Sequence, residues 1–174
     1  MLSIIIPVFN EADNIKFLVK KIKDCLKDYK YEVLFINDGS LDNTEKIIEE
    51  IIKLDKRFMC INFKRNFGQT AALQAGFDYS KGEIIVALDG DLQNEPGDIP
   101  KLINKINEGF EVVSGWRKYR KDNAVSRILP SKIANYIISK ITGVKLHDYG
   151  CTLKAYKKEV VQDIKLYGEM HRFI

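Results

Sequence analysis

Cysteine is scarce in this chain: Cys25, Cys60 and Cys151 are the only three among 174 residues, far apart and without a C-x-x-C spacing. An odd, scattered set supports neither a disulfide framework nor a zinc site, and it fits a reducing cytosol. Long hydrophobic runs are missing as well. The longest apolar stretches, such as 84–88 and 33–36, are strand-sized, whereas a membrane-spanning helix needs roughly 18–20 residues. Any membrane contact is therefore expected to be peripheral or to lie outside these residues. The opening Leu2-Ser3-Ile4-Ile5-Ile6-Pro7 has no basic n-region and no small-residue cleavage site, so export is not expected. There is no internal repeat, no low-complexity segment and no Gly/Ser/Pro linker, which leaves 1–174 to be read as one domain.

What is present is an ordinary folding composition, 45% hydrophobic and 30% charged with both signs interspersed, and a net charge of +4. That charge is too mild to indicate nucleic acid, which is not an expected partner, but it suits a protein that meets phosphates or an anionic bilayer. Short β-branched runs alternate with longer amphipathic ones, the pattern of βα units on a mostly parallel sheet. The spacing predicts strands at 2–6, 31–37, 58–63, 83–88, 111–115 and near 153–156. Helices are predicted at 12–26, where Ile15, Leu18, Val19, Ile22 and Leu26 share a face, and at 42–54 with Ile47, Ile48, Ile51 and Leu54. The expected fold class is thus an α/β/α sandwich of Rossmann-like character.

Three strand ends carry acids. The sharpest is Ile84-Ile85-Val86-Ala87-Leu88-Asp89-Gly90-Asp91-Leu92-Gln93, an apolar strand running into two carboxylates. In extended backbone residues i and i+2 face one side, so Asp89 and Asp91 are expected to converge on one hard cation, Mg²⁺ or Mn²⁺, with Gly90 permitting close approach. Asp-Gly-Asp is equally good turn chemistry, so the motif alone does not decide. Phe35-Ile36-Asn37-Asp38-Gly39-Ser40 is a second strand end. Asp38 there is suited to a ribose hydroxyl or a base N–H, and Ser40 to capping the next helix. The third, Ile6-Pro7-Val8-Phe9-Asn10-Glu11, adds Glu11 at the same edge, where open α/β sheets bind ligands.

Taken in order, S-I-I-I-P-V-F-N-E at 3–11, N-D-G-S-x-D-N-T at 37–44, R-N-F-G-Q at 65–69, D-G-D-L-Q at 89–93, G-W-R at 115–117 and D-Y-G-C at 148–151 span essentially the whole chain. The combination resembles the inverting family 2 glycosyltransferases of GT-A type, and within them the polyprenyl-phosphate (dolichol- or undecaprenyl-phosphate) sugar synthases. The resemblance implies a nucleotide-sugar pocket lined by Pro7, Phe9, Glu11, Asp38, Gln69, Asp89 and Gly90. It implies a metal held by Asp89, Asp91 and Gln93, and an acceptor-phosphate site of Arg117, Arg127 and Ser131. Gln69 stands where many relatives carry Lys. Segment 168–173 is similar to a part of the family that closes over the site, bringing in His171 and Arg172. Many relatives continue into spanning helices, so a longer protein anchored at the cytoplasmic face of the membrane is expected.

The chemistry agrees with the residue types. Departure of a nucleoside diphosphate develops charge that a clamped divalent ion stabilises. An acceptor phosphate monoester, with a second pKa near ~6, is mostly dianionic at neutral pH and needs positioning rather than a strong base. Arg117, Arg120 and Arg127 offer fork-shaped hydrogen bonds for that purpose, although Lys118, Arg120 and Lys121 also read as a solvated basic loop. Asp148 is the general-base choice if the acceptor is a sugar hydroxyl, and an orienting group if it is a phosphate. Residues 124–141 carry an apolar stripe with Arg127, Lys132 and Lys140, divided by Pro130. They suit either a bilayer interface or the sheet surface. The donor is expected to be a UDP-sugar, with GDP-mannose the alternative. Competing functions are transfer to a sugar hydroxyl in polysaccharide synthesis and a non-catalytic nucleotide-binding module. A dinucleotide redox protein is disfavoured, since Pro7–Asn14 replaces the G-x-G-x-x-G turn.

Overall fold

The computed structural model describes residues 1–116 and 150–172. Its centre is a sheet of strands β1 (Leu2–Val8), β2 (Tyr31–Asn37), β3 (Phe58–Asn62), β4 (Ile84–Ala87), β5 (Val112–Ser114) and β6 (Lys154–Lys157), in the order β3-β2-β1-β4-β6-β5. The pairs β1–β2, β1–β4 and β2–β3 are parallel, whereas β6 runs antiparallel to both β4 and β5. Every predicted strand is present, and the mostly parallel α/β class holds.

The sheet is buried on both faces, which explains the near-continuous apolar runs of β1 and β2. Alternation sends Ile4, Ile6 and Val8 to one face and Ile5 to the other. The first face packs on α1 (Ala12–Cys25) and α4 (Ile99–Asn107), through Ile15, Leu18, Val19 and Ile22 of the former and Ile99, Leu102, Ile103 and Ile106 of the latter. Helix α2 (Thr44–Leu54) adds Ile48 to that layer. The opposite face is covered by α3 (Gln69–Tyr79), through Ala72, Leu73 and Phe77, with Tyr156, Val161 and Leu166 beside them. Among the described residues no helix is long and apolar enough to cross a membrane.

Two local expectations are corrected. Ser40 does not cap α2, which starts later, at Thr44, with Asn43 before it. The Asp42 carboxylate accepts the Thr44 amide at 3.0 Å, closing a turn that delays the helix, and Ser40 Oγ instead accepts the Asn10 amide at 2.9 Å. Strand β4 ends at Ala87 and the chain turns at Gly90 and Asp91, so Asp89 and Asp91 do not share one extended segment. The alternation argument therefore does not explain how the two acids come together.

Candidate active site at the carboxyl edge of the sheet

The order of strands reverses between β1 and β4, so the connections leaving their carboxyl ends diverge and open a crevice. That crevice is a cavity of about 290 Å³ lined by Pro7, Phe9, Glu11, Asp38, Gln69, Asp89, Gly90 and Asp91, together with Val8, Asn66, Gly68 and Ala72. Every residue expected to meet the nucleotide sugar borders this one space. Gln93 does not; it is exposed and lines a neighbouring cavity with Asn94, Trp116 and Cys151. Its backbone amide donates to Asp91 Oδ1 at 3.0 Å. Arg117, Arg120, Arg127, Ser131 and Asp148, with the stretch 124–141, lie outside the described residues.

The first two strand ends are sewn together. Asn10, at φ 57°, donates its amide to Ser40 and accepts the Leu41 amide on Oδ1 at 2.8 Å. Asn tolerates that left-handed backbone better than most residues. The Glu11 amide donates to Thr44 Oγ1 at 2.8 Å, and its carboxylate accepts Asn14 Nδ2 at 2.7 Å. Although burial works in the opposite direction, bonds from the Thr44 side chain and amide and from the Ala12 amide hold the Asp42 carboxyl below its ordinary value. Asp38 is buried, and its two oxygens accept the amides of Phe67 at 2.7 Å and Gly68 at 2.8 Å. Asp38 thus also shapes the loop before α3, a role the sequence did not suggest. Gly39 is required beside it: at φ 71°, a Cβ would lie 2.5 Å from the Arg65 carbonyl carbon.

The third strand end holds the acids. Gly90 fits against β1, where a Cβ would meet Val8 Cγ1 at 2.9 Å. The chain then turns away through Leu92 at φ 60°. Asp89 Oδ1 accepts Gln69 Nε2 at 2.9 Å, and Oδ2 accepts the Thr152 hydroxyl. Behind Asp89 a much smaller cavity is lined by Lys154, Tyr156, Thr152 and His171. Lys154 is buried there on β6, opposite Ala87 in register. The His171 ring sits 2.7 Å from Thr70 Oγ1, so the turn Met170–Arg172 is fastened to the first turn of α3. Neither Thr152 nor Lys154 was foreseen; residues just before and at the start of an antiparallel strand that arrives from far along the chain leave no local signal at the site.

Among the described residues no three His, Cys, Asp or Glu side chains gather as a metal-holding group. Two carboxylates, Asp89 and Asp91, suit a hard cation that completes its shell with ligand phosphate oxygens and water, the usual manner for Mg²⁺. The donor chemistry fits the expected ion.

Solved structures share this architecture. Glucosyl-3-phosphoglycerate synthase from Mycobacterium tuberculosis, in complex with Mn²⁺ and uridine-diphosphate-glucose, superposes with a TM-score of 0.71 at 19% identity, covering 95% of this chain and 59% of that one. A mannosyltransferase from Pyrobaculum calidifontis, in complex with GDP-Man and Mn²⁺, gives 0.69 at 17% identity, covering 96% and 47%. The fold is therefore that of GT-A glycosyltransferases. The model of glycosyl transferase family 2 matches residues 3–165, and the chain belongs to that family. A dodecaprenyl-phosphate galacturonate synthase of Rhizobium johnstonii is 43% identical over 99% of this chain and 52% of its own length. An undecaprenyl-phosphate 4-deoxy-4-formamido-L-arabinose transferase of Shewanella sediminis is 40% identical over 99% and 53%. The chain spans about half the length of these curated relatives.

Proposed function

We propose that this chain is the catalytic part of an inverting glycosyltransferase that moves a sugar from a nucleoside diphosphate to a polyprenyl phosphate at the cytoplasmic face of a membrane. The observation that carries the reading is the cavity in which Asp38, Asp89, Asp91 and Glu11 meet at the carboxyl edge of the sheet. Two of these acids, Asp89 and Asp91, facing an anionic diphosphate make sense when a cation stands between them. When bound, Mg²⁺ or Mn²⁺ supplies Lewis-acid stabilisation of the departing diphosphate. Asp89 and Asp91 hold that ion; Gln93, on the same turn, is a third ligand in this reading.

The chain's own residues do the rest. Pro7, Phe9, Glu11 and Asp38 border the nucleoside end of the cavity, and Gln69 and Gly90 the diphosphate end. Arg117, Arg127 and Ser131 receive the acceptor phosphate, and Asp148 orients the groups that react. The acceptor dianion is nucleophilic at neutral pH, so the site's task is alignment and charge neutralisation. A polyprenyl-phosphate acceptor is supported by the two relatives above, whose names state such acceptors. We favour a UDP-sugar donor and keep GDP-mannose as the alternative, since this fold holds UDP-glucose in one solved structure and GDP-Man in the other.

The test is transfer itself. With radiolabelled UDP-sugars, a short-chain polyprenyl phosphate in detergent and Mn²⁺, the protein is expected to form a charged lipid-linked sugar, and to form none in excess EDTA. Replacing Asp91 with Asn is expected to lower the rate about a hundredfold or more, the scale on which lost transition-state charge stabilisation acts. Undiminished transfer in EDTA contradicts the proposal.

A further inference from the structure

Asp89 is held by a directed chain of hydrogen bonds that begins far from it in sequence. Cys151, 2% exposed, donates its thiol to Asn94 Oδ1 at 3.4 Å. Asn94, 5% exposed, donates Nδ2 to Thr152 Oγ1 at 2.9 Å, and the Thr152 hydroxyl donates to Asp89 Oδ2. Each link fixes the next. With its oxygen turned to the thiol, the Asn94 amide has its nitrogen aimed at Thr152. A hydroxyl has one proton, and because Thr152 Oγ1 accepts from Asn94, that proton is left for the carboxylate. On the other oxygen, Gln69 Nε2 donates at 2.9 Å from the first residue of α3.

Two donors, Gln69 on one oxygen and Thr152 on the other, set the rotation of the Asp89 carboxylate about its own axis. A carboxylate offers about four acceptor positions, so these two bonds do not exhaust it. The scaffold behind Thr152 is closely packed. The Gly115 amide donates to Leu153 O at 2.8 Å, and a Cβ on Gly115 would meet that oxygen at 2.9 Å and Cys151 Sγ at 3.1 Å. Leu153 and Cys151 are both buried.

We infer that Thr152 is a positioning residue for the divalent ion: its hydroxyl, oriented by Asn94, presets Asp89 in the rotamer that grips the metal of the nucleotide complex. The inference rests on the reading of Asp89 as a metal ligand. Partners of metal ligands typically change affinity by about 10–100-fold when removed. Loss of the Thr152 proton leaves Asp89 Oδ2 without that donor and the Asn94 amide facing a methyl group.

The experiment is manganese binding followed by electron paramagnetic resonance, with UDP present, on the wild-type protein and on Thr152→Val and Thr152→Ser. Thr152→Val is expected to weaken Mn²⁺ binding about tenfold, and Thr152→Ser, which restores the hydroxyl, to stay within about twofold of wild type. In steady-state assays the same loss appears as a higher Mn²⁺ requirement in Thr152→Val, relieved by added metal. If Thr152→Val does not fold, Thr152→Ala carries the same expectation. Wild-type affinity in Thr152→Val or Thr152→Ala overturns the inference, as does an equal loss in Thr152→Ser. A wild-type protein that binds UDP but no Mn²⁺ overturns the metal reading of Asp89 and the role of Thr152 together.

Discussion

Asp55 illustrates what a single side chain adds away from the site. The Arg57 guanidinium, first, and then the Lys23 amine at 2.9 Å hold its carboxyl well below the usual carboxylate range, against the effect of burial. A carboxyl whose folded value is depressed adds stability above its unfolded pKa of about 3.9, and loses it as pH falls toward the folded value. Asp55→Asn is therefore expected to cost about 1 kcal/mol at pH 7, the scale of a half-exposed ion pair. Urea unfolding at pH 7 and near pH 2.5 checks the sign, because the gap between variant and wild type should narrow in acid. Cys60 gives a second residue-scale outcome, since burial pushes its thiol up to about 12. At pH 8 it stays protonated, so iodoacetamide is expected to modify it slowly until the protein unfolds. The acids at the strand ends were legible in the sequence because strand, acid and glycine are neighbours in it. Asp38's hold on the Phe67 and Gly68 amides was not, since those groups meet only after the chain has passed through α2 and β3.

At the level of elements, α3 does most to build the site, and the sequence named it least. Its amphipathic pattern is weak because small residues, Ala72 and Gly76, face the sheet beside Leu73 and Phe77. A Cβ on Gly76 would overlap the Ile5 side chain, so the helix lies unusually close to β1. That closeness brings Gln69 to Asp89 and Thr70 to His171. Gly76→Val is expected to destabilise the fold by about 1–3 kcal/mol through overpacking, read as a lower denaturant midpoint at unchanged slope. Helices α1 and α2 were legible because their apolar faces are bulky and regularly spaced. The sequence left Asp89-Gly90-Asp91 open between extended backbone and a turn, because an apolar run does not mark where a sheet stops pairing. Strand β4 gives out at Ala87.

For the molecule as a whole, the order β3-β2-β1-β4-β6-β5 turns a pattern of local motifs into one crevice. Periodicity supplied the strands and the parallel class, but not that β6 would enter antiparallel between β4 and β5, carrying Thr152 and Lys154 to the back of Asp89. Family membership and the GT-A architecture make that crevice the place to look for a nucleoside diphosphate. In the proposed function two carboxylates grip a divalent ion and the ion grips the nucleotide. Calorimetric titration of UDP tests it most directly. UDP is expected to bind the wild-type protein in Mn²⁺, and to bind at least about tenfold more weakly in EDTA or after replacement of both Asp89 and Asp91 by Asn. Equal affinity for UDP in all three cases would contradict it.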